Sequence, residues 1–197
     1  MLSLGALCAG RKQGGPPQSG GFGKGGRVAG EEYIDIYSED MVFTGLTIPR
    51  KGAFLKEGQY MLYALAVIQD AQGRFLITRR SLDKRWAAGL WEVPGGGVLA
   101  GETPLQGALR EVREEVGLQL LPEHGRLCYS YVNTDLARGD NYINSVFRFQ
   151  APFALDDVTL QESESIDCRL ASWEEITALE EQGAFLHYGR IRTALEA

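Results

Sequence analysis

Gly96-Gly97-Val98-Leu99-Ala100-Gly101-Glu102, then Thr103 to Leu109, then Arg110-Glu111-Val112-Arg113-Glu114-Glu115-Val116-Gly117-Leu118 is the stretch that organises this 197-residue chain. Its second half predicts a helix over 104–116. Thr103 is a capping residue, Pro104 suits the first helical position, and Gln106 completes a Thr-x-x-Gln capping box. Leu105, Ala108, Leu109, Val112 and Val116 recur at helical spacing and form one apolar face. Gly117 stands where a left-handed residue ends a helix.

The charges on that helix follow a pattern of their own. Glu111, Glu114 and Glu115 are spaced i, i+3 and i+4, so their carboxylates share a face. Like charges this close repel unless neutralised. Hard divalent cations such as Mg²⁺ or Mn²⁺ prefer carboxylate oxygens and would neutralise them. A solvated acidic face paired with Arg110 and Arg113 fits the same spacing. The upstream Pro94-Gly95-Gly96-Gly97 reads as a loop whose backbone approaches a ligand closely. Glu102 adds a fourth carboxylate at the helix entrance.

Working outward, Tyr33 to Tyr37 alternates as a strand does, and Thr44 to Pro49 is a second short extended piece. Tyr60 to Gln69 is apolar enough for a buried strand, Asp70-Ala71-Gln72-Gly73 is a turn, and Arg74 to Arg79 returns from it. Trp91 to Val93, Leu127 to Asn133, Tyr142 to Gln150 and Asp167 to Ala171 read as further strands, with a polar loop at 134–141. Ser172 caps a helix opening at Trp173, and a last helix is expected from about Tyr188 to Leu195. The fold class is α+β, with residues 31–197 as one domain. Residues 1–30 are crowded with Gly and hold Pro16-Pro17, so they are expected to form a flexible tail.

Composition narrows the function. Hydrophobic residues make up 44% of the chain and charged ones 23%, as in ordinary globular proteins. A net charge of -6 argues against binding a nucleic-acid polymer, which needs a basic surface. No apolar run reaches membrane-span length, so no membrane partner is expected. Basic residues follow the apolar start Met1 to Leu7, the reverse of a secretory signal. Cys8, Cys128 and Cys168 are scattered, with no CxxC pair, which suits a reducing cytoplasm.

The segment 96–118 matches the Nudix box, Gly-x5-Glu-x7-Arg-Glu-U-x-Glu-Glu-x-Gly-U with U a bulky aliphatic residue, at every fixed position. Residues from about 60 to 180 resemble the whole Nudix fold, an α/β/α sandwich around a mixed sheet. The resemblance implies hydrolysis of a diphosphate linkage with Mg²⁺ or Mn²⁺ as cofactor. Glu111, Glu114 and Glu115 would be metal ligands, with the Gly95 carbonyl. Glu102 would support the metal shell, and Arg110 would orient the carboxylates. Family members often add an acid from a later loop, as ligand or general base. Glu164 is the candidate here, with Glu162 as its rival.

A second resemblance joins Glu32 to Tyr37, Thr44-Gly45, Arg50, Glu57 to Tyr60 and Phe75 to Ser81 to isopentenyl-diphosphate isomerases and their hydrolase relatives. Isomerisation needs a proton donor and acceptor across the substrate, which that family draws partly from a Cys before the box and from His. Trp91 to Gly96 contains neither. Hydrolysis of a nucleoside diphosphate derivative or related organic pyrophosphate is therefore the expected activity. A Nudix module that only senses a nucleotide would be expected to have lost box acids, and this chain keeps them. Arg79, Arg80, Lys84 and Arg85 are candidates for holding phosphates, and Trp86, Trp91, Tyr131 and Tyr142 for stacking on a base. Residues 32–50 are a candidate homodimer contact.

Overall fold

Met61–Gln69 forms β3, the strand around which the computed structural model, described over residues 30–197, is assembled. The expected tail at 1–30, apart from Gly30, lies outside those residues. β3 is buried along nearly its whole length, which is why its sequence is a run and does not alternate. β8 (Tyr142–Gln150) lies parallel to it, from Met61 opposite Tyr142 to Gln69 opposite Gln150. β7 (Gly125–Asn133) continues the sheet antiparallel to β8, with an irregularity between Leu127 and Tyr129.

On the other side of β3 the sheet splits. The turn at Asp70 leads into β4 (Phe75–Arg80), which meets β3 only at Gln69 opposite Phe75. β4 then diverges to pair with β9 (Ser165–Ala171) and with β5 (Trp91–Glu92). The space beside β3 is filled by β6 (Gly95–Gly97), which sets Leu65 opposite Gly95 and Tyr63 opposite Gly97. This strand was expected to be a loop. Its three glycines carry none of the β-branched or aromatic signal by which strands are recognised.

Helix α1 (Pro104–Val116) covers one face of the sheet. Ala108, Val112 and Val116 pack there with Leu62, Ala64, Ile68, Leu76 and Phe149. Each fully buried Val, Leu, Ile or Phe side chain among these contributes about 1.5–3 kcal/mol, and each alanine less. Helices α2 (Trp173–Glu181) and α3 (Tyr188–Glu196) cover the opposite face, where Ile176, Ile191 and Ala194 meet Leu65, Val67, Ile77 and Val146. The layers are helix, mixed sheet, helices, as the resemblance implied. The remaining strands begin within two residues of where their patterns placed them.

β1 (Tyr33–Tyr37) and β2 (Phe43–Pro49) form a separate two-stranded sheet over Ile34, Ile36, Leu55 and Met61. This hairpin is tied to the loop before α1. The Ala100 amide donates to the Tyr33 carbonyl at 2.8 Å and the Gly101 amide to Asp35 Oδ2 at 2.8 Å.

Candidate active site

α1 begins as its sequence dictates. The Thr103 side chain accepts from the Gln106 amide, Gln106 returns the bond to the Thr103 amide, and Gly117 adopts φ 72° at the other end. The fixed helix start sets the direction in which Glu111, Glu114 and Glu115 project. Arg110, with a side chain 12% exposed, gathers what surrounds them. Its Nε donates to Glu102 Oε1 at 2.9 Å and one terminal nitrogen to Glu102 Oε2 at 3.1 Å. That nitrogen also reaches the Gly97 carbonyl at 2.8 Å. The other donates to Glu111 Oε1 at 2.9 Å and Glu114 Oε2 at 3.0 Å. Glu102 Oε2 also accepts from the Leu99 amide at 2.9 Å. Arg110 therefore locks helix, entry loop and β6 together.

The glycines earn their positions by contact. A Cβ on Gly96 would lie 2.5 Å from Glu111 Oε1, so only glycine lets that carboxylate rest on the strand. A Cβ on Gly95 would lie 2.4 Å from the Ala64 carbonyl oxygen. The close approach expected of this segment is thus first of all an approach to β3 and α1. The Gly95 amide donates to Glu115 Oε2 at 3.1 Å.

Electrostatics favour a cation at this point. Burial pushes the Glu115 carboxyl well above the usual range, and the charges of Glu111, Glu92 and Glu164 push it further against the Gly95 amide. Burial also raises Glu111, although Arg110 and Arg50 act in the opposite sense. Glu92 is raised by burial against the pull of Arg80 and Lys84. Among the described residues no three His, Cys, Asp or Glu side chains stand in cation-holding arrangement, and Arg110 engages Glu111 and Glu114. The donor set nevertheless fits a hard divalent cation. It is made of carboxylates, its members repel one another, and a bound cation would relieve that repulsion.

The other candidates divide. Glu164 is the loop acid that faces this group, and it forms an ion pair with Lys84. Glu162 is exposed and takes no part. Arg80 pairs with Glu92 at 2.7 Å and lines a cavity of about 580 Å³ with Tyr63, Trp86, Gly95, Tyr142 and Asn144. Arg79 turns to the Gly89 carbonyl at 3.0 Å, and neither it nor Arg85 lines that cavity. Of the aromatic candidates, Trp86 and Tyr142 reach the cavity. Trp91 and Tyr131 pack with the core beneath Arg169 and Arg190.

Sequence reasoning missed several residues. Glu92 was legible only as a strand residue, and its charge reaches Glu115 because the chain passes through Val93-Pro94 from β5, paired with β4, into β6, which lies against α1. Arg50 lies in the hairpin, and its Cζ would stand 3.0 Å from a Cβ on Gly97. Its NH1 also pairs with Glu32 at 2.7 Å. Asn133 lines the cavity from the end of β7, Arg138 and Asp140 from the loop after it, and His187 from the start of α3. No local signal marks such positions.

A capped, Glu-rich helix laid on a mixed sheet, with a glycine strand beneath its carboxylates, defines a hydrolase of pyrophosphate linkages. Residues 59–192 match the family model described as NUDIX domain, and the chain belongs to that family. An uncharacterised Nudix hydrolase of Listeria monocytogenes is 32% identical over 158 residues, covering 80% of this chain and 89% of the relative. The 8-oxo-dGTP diphosphatase of Escherichia coli is 43% identical over 61 residues, 31% of this chain and 45% of that protein. The crystal structure of a MutT protein from Methanosarcina mazei superposes with a TM-score of 0.57 at 32% identity, covering 70% of this chain and 94% of that one. A Deinococcus radiodurans structure, at 22% identity and TM-score 0.62, shares the fold over 78% of this chain and 91% of its own. No described helix is long and apolar enough to cross a membrane.

Proposed function

We propose that this Nudix hydrolase cleaves, with Mg²⁺ or Mn²⁺, the diphosphate of a small nucleoside diphosphate derivative or related organic pyrophosphate in the cytoplasm. The observation that carries this is the crowding of buried Glu111 and half-buried Glu115, the latter bound to the Gly95 amide, with Glu92 and Glu164 close enough to raise Glu115 further. It lies beside a cavity that Gly95 joins. The partial likeness to an 8-oxo-dGTP diphosphatase supports a nucleoside on the substrate.

Glu111, Glu114, Glu115 and the Gly95 carbonyl would hold the cation, while Glu102 and Arg110 orient the carboxylates around it. Bound there, the cation supplies a Lewis acid and an activated water. Arg80, freed from Glu92, takes a phosphate oxygen from the cavity side, and Lys84, which lies outside the cavity lining but pairs with Glu164 and acts on Glu92, leaves Glu164 to take another. Glu164 then stands unpaired as the acceptor for the attacking water's proton. Arg79 and Arg85 stay outside the cavity lining and have no role in this scheme.

The test is a panel of nucleoside diphosphate sugars, dinucleotides and nucleoside triphosphates, incubated with Mg²⁺ or Mn²⁺ and followed by phosphorus NMR. Metal-dependent release of a phosphorylated product is expected. Glu114→Gln should keep the fold and slow turnover at least about 100-fold, because a ligand to the cation is lost. Unchanged turnover in that variant would refute the assignment. Conversion of isopentenyl diphosphate to its dimethylallyl isomer would replace hydrolysis by isomerisation. Tight binding without turnover would make the protein a sensor. Phe43 and Leu46 are exposed on β2, so the hairpin is also the proposed homodimer contact, which sedimentation velocity decides.

A further inference from the structure

His187 stands at the start of α3 in the left-handed conformation, with φ 60°. That conformation is uncommon outside glycine and is held only where the surroundings fix it. Here the surroundings do. The Trp91 amide donates to the Ala184 carbonyl at 2.9 Å, and the Leu186 amide donates to the Trp91 carbonyl at 2.8 Å. Residues 184–186 are thereby stitched to β5, and His187 is delivered to the wall of the 580 Å³ cavity. Its ring has no hydrogen-bond partner among the described residues, and no capping bond uses it. The ring centroid lies 6.2 Å from that of Trp86, which comes from the loop between β4 and β5. Arg80 covers Trp86 at 5.5 Å, while Trp86 itself is 53% exposed. A strained backbone, an imidazole without a hydrogen-bond partner and an exposed indole therefore meet on one wall of the cavity that Arg80, Glu92 and Gly95 also line.

We propose that His187 and Trp86 recognise the organic group carried by the diphosphate, and that this group contains a flat heteroaromatic ring. The ring stacks on Trp86, and its polar edge, or a hydroxyl beside it, hydrogen-bonds to His187. The proposal rests on the assigned diphosphate chemistry and adds to it a determinant of the non-phosphate half. The site suits a neutral edge. Burial, with Arg80 and Arg190 nearby, lowers the His187 pKa, so the imidazole is uncharged at neutral pH and can both donate and accept. An imidazolium would instead compete with Arg80 for phosphate.

The experiment compares two non-hydrolysable probes on the Mg²⁺-loaded full chain by calorimetry. One is α,β-methylene-ADP and the other is methylenediphosphonate, the same phosphorus–carbon–phosphorus unit without the nucleoside. The variants are His187→Asn, which keeps a residue tolerant of the left-handed conformation, and Trp86→Ala. Both variants should melt close to the wild type. His187→Asn should weaken α,β-methylene-ADP about tenfold, the size of one lost hydrogen bond to a desolvated partner. Trp86→Ala should weaken it by a similar factor. Methylenediphosphonate affinity should stay within about twofold, since neither residue holds phosphate in this account. An equal loss for both probes would place His187 at the phosphates and overturn the proposal. So would a wild type that gains nothing from the nucleoside. If neither probe binds the wild type with Mg²⁺ present, the diphosphate assignment itself fails and the proposal fails with it.

Discussion

Arg110→Met tests how the site is held together before any cation arrives. The substitution keeps an unbranched apolar stem and removes the guanidinium. Arg110 makes five hydrogen bonds, to Glu102 twice, to Glu111, to Glu114 and to the Gly97 carbonyl. A hydrogen bond to a charged group contributes about 1.5–3 kcal/mol net, and the bonds of one buried hub do not add. The Glu114 side chain is 46% exposed, so its share is at most about 1 kcal/mol. What remains is Glu102 and Glu111, stranded without their cation in a site Arg110 itself helps keep dry. Removing one partner of such a group costs about 3–5 kcal/mol. With a urea slope near 2 kcal/mol/M, the unfolding midpoint should fall by about 1.5–2.5 M in chelator. Mg²⁺ at about 100 times its Kd stabilises the wild type by about 2.7 kcal/mol. The variant should gain less, because its carboxylates are no longer aimed. A midpoint shift under about 0.5 M in chelator would refute the claim that Arg110 organises the site.

Gly96→Ala pushes the Glu111 carboxylate from its seat, so turnover should fall at least about tenfold while the melting temperature changes little, since a flexible side-chain end gives way. Gly95→Ala instead meets the Ala64 backbone, so it should unfold the protein more readily, read as a lowered melting temperature. Asp70 tests the turn. Burial alone would raise its pKa, but bonds from the Arg74 amide and side chain and the Gln72 amide outweigh that and lower it. Its stabilising share is therefore full above the ordinary aspartate value of about 4 and is lost as pH falls through the lower native value. Asp70→Asn should cost about 1–3 kcal/mol at pH 7 and much less near pH 2, measured by denaturant titration at both.

The parts legible in the sequence are those written in short-range patterns. The α1 capping box, its apolar face and the closing Gly117 specify a helix whose ends the structure reproduces at Pro104 and Val116. β3 and β8 were visible because their apolar runs are long. The parallel pairing between them was not, because the pattern of a strand buried on both faces does not name its partner. β6 was read as a loop because glycine gives no strand signal, and its pairing depends on β4 peeling away from β3. Within the site, Glu111, Glu114 and Glu115 follow from helical spacing alone. Glu92, Arg50 and His187 do not, since each arrives from a separate element and becomes relevant only when the sheet and its covering segments bring them together. Four basic residues in a row of seven, Arg79 to Arg85, looked equivalent. The fold turns Arg80 to the cavity and Arg79 to Gly89, a distinction that alternation along β4 and the path of the next loop create.

Mn²⁺ binding to the wild type and to Glu115→Gln, measured by calorimetry at neutral pH, bears most directly on the claim that the crowded carboxylates of α1 exist to hold a divalent cation. Saturable binding to the wild type is expected, with affinity weakened at least about tenfold in a variant that melts no lower than its parent, since neutralising one of several repelling acids relieves their repulsion. Equal Mn²⁺ affinity in the two proteins would contradict the claim.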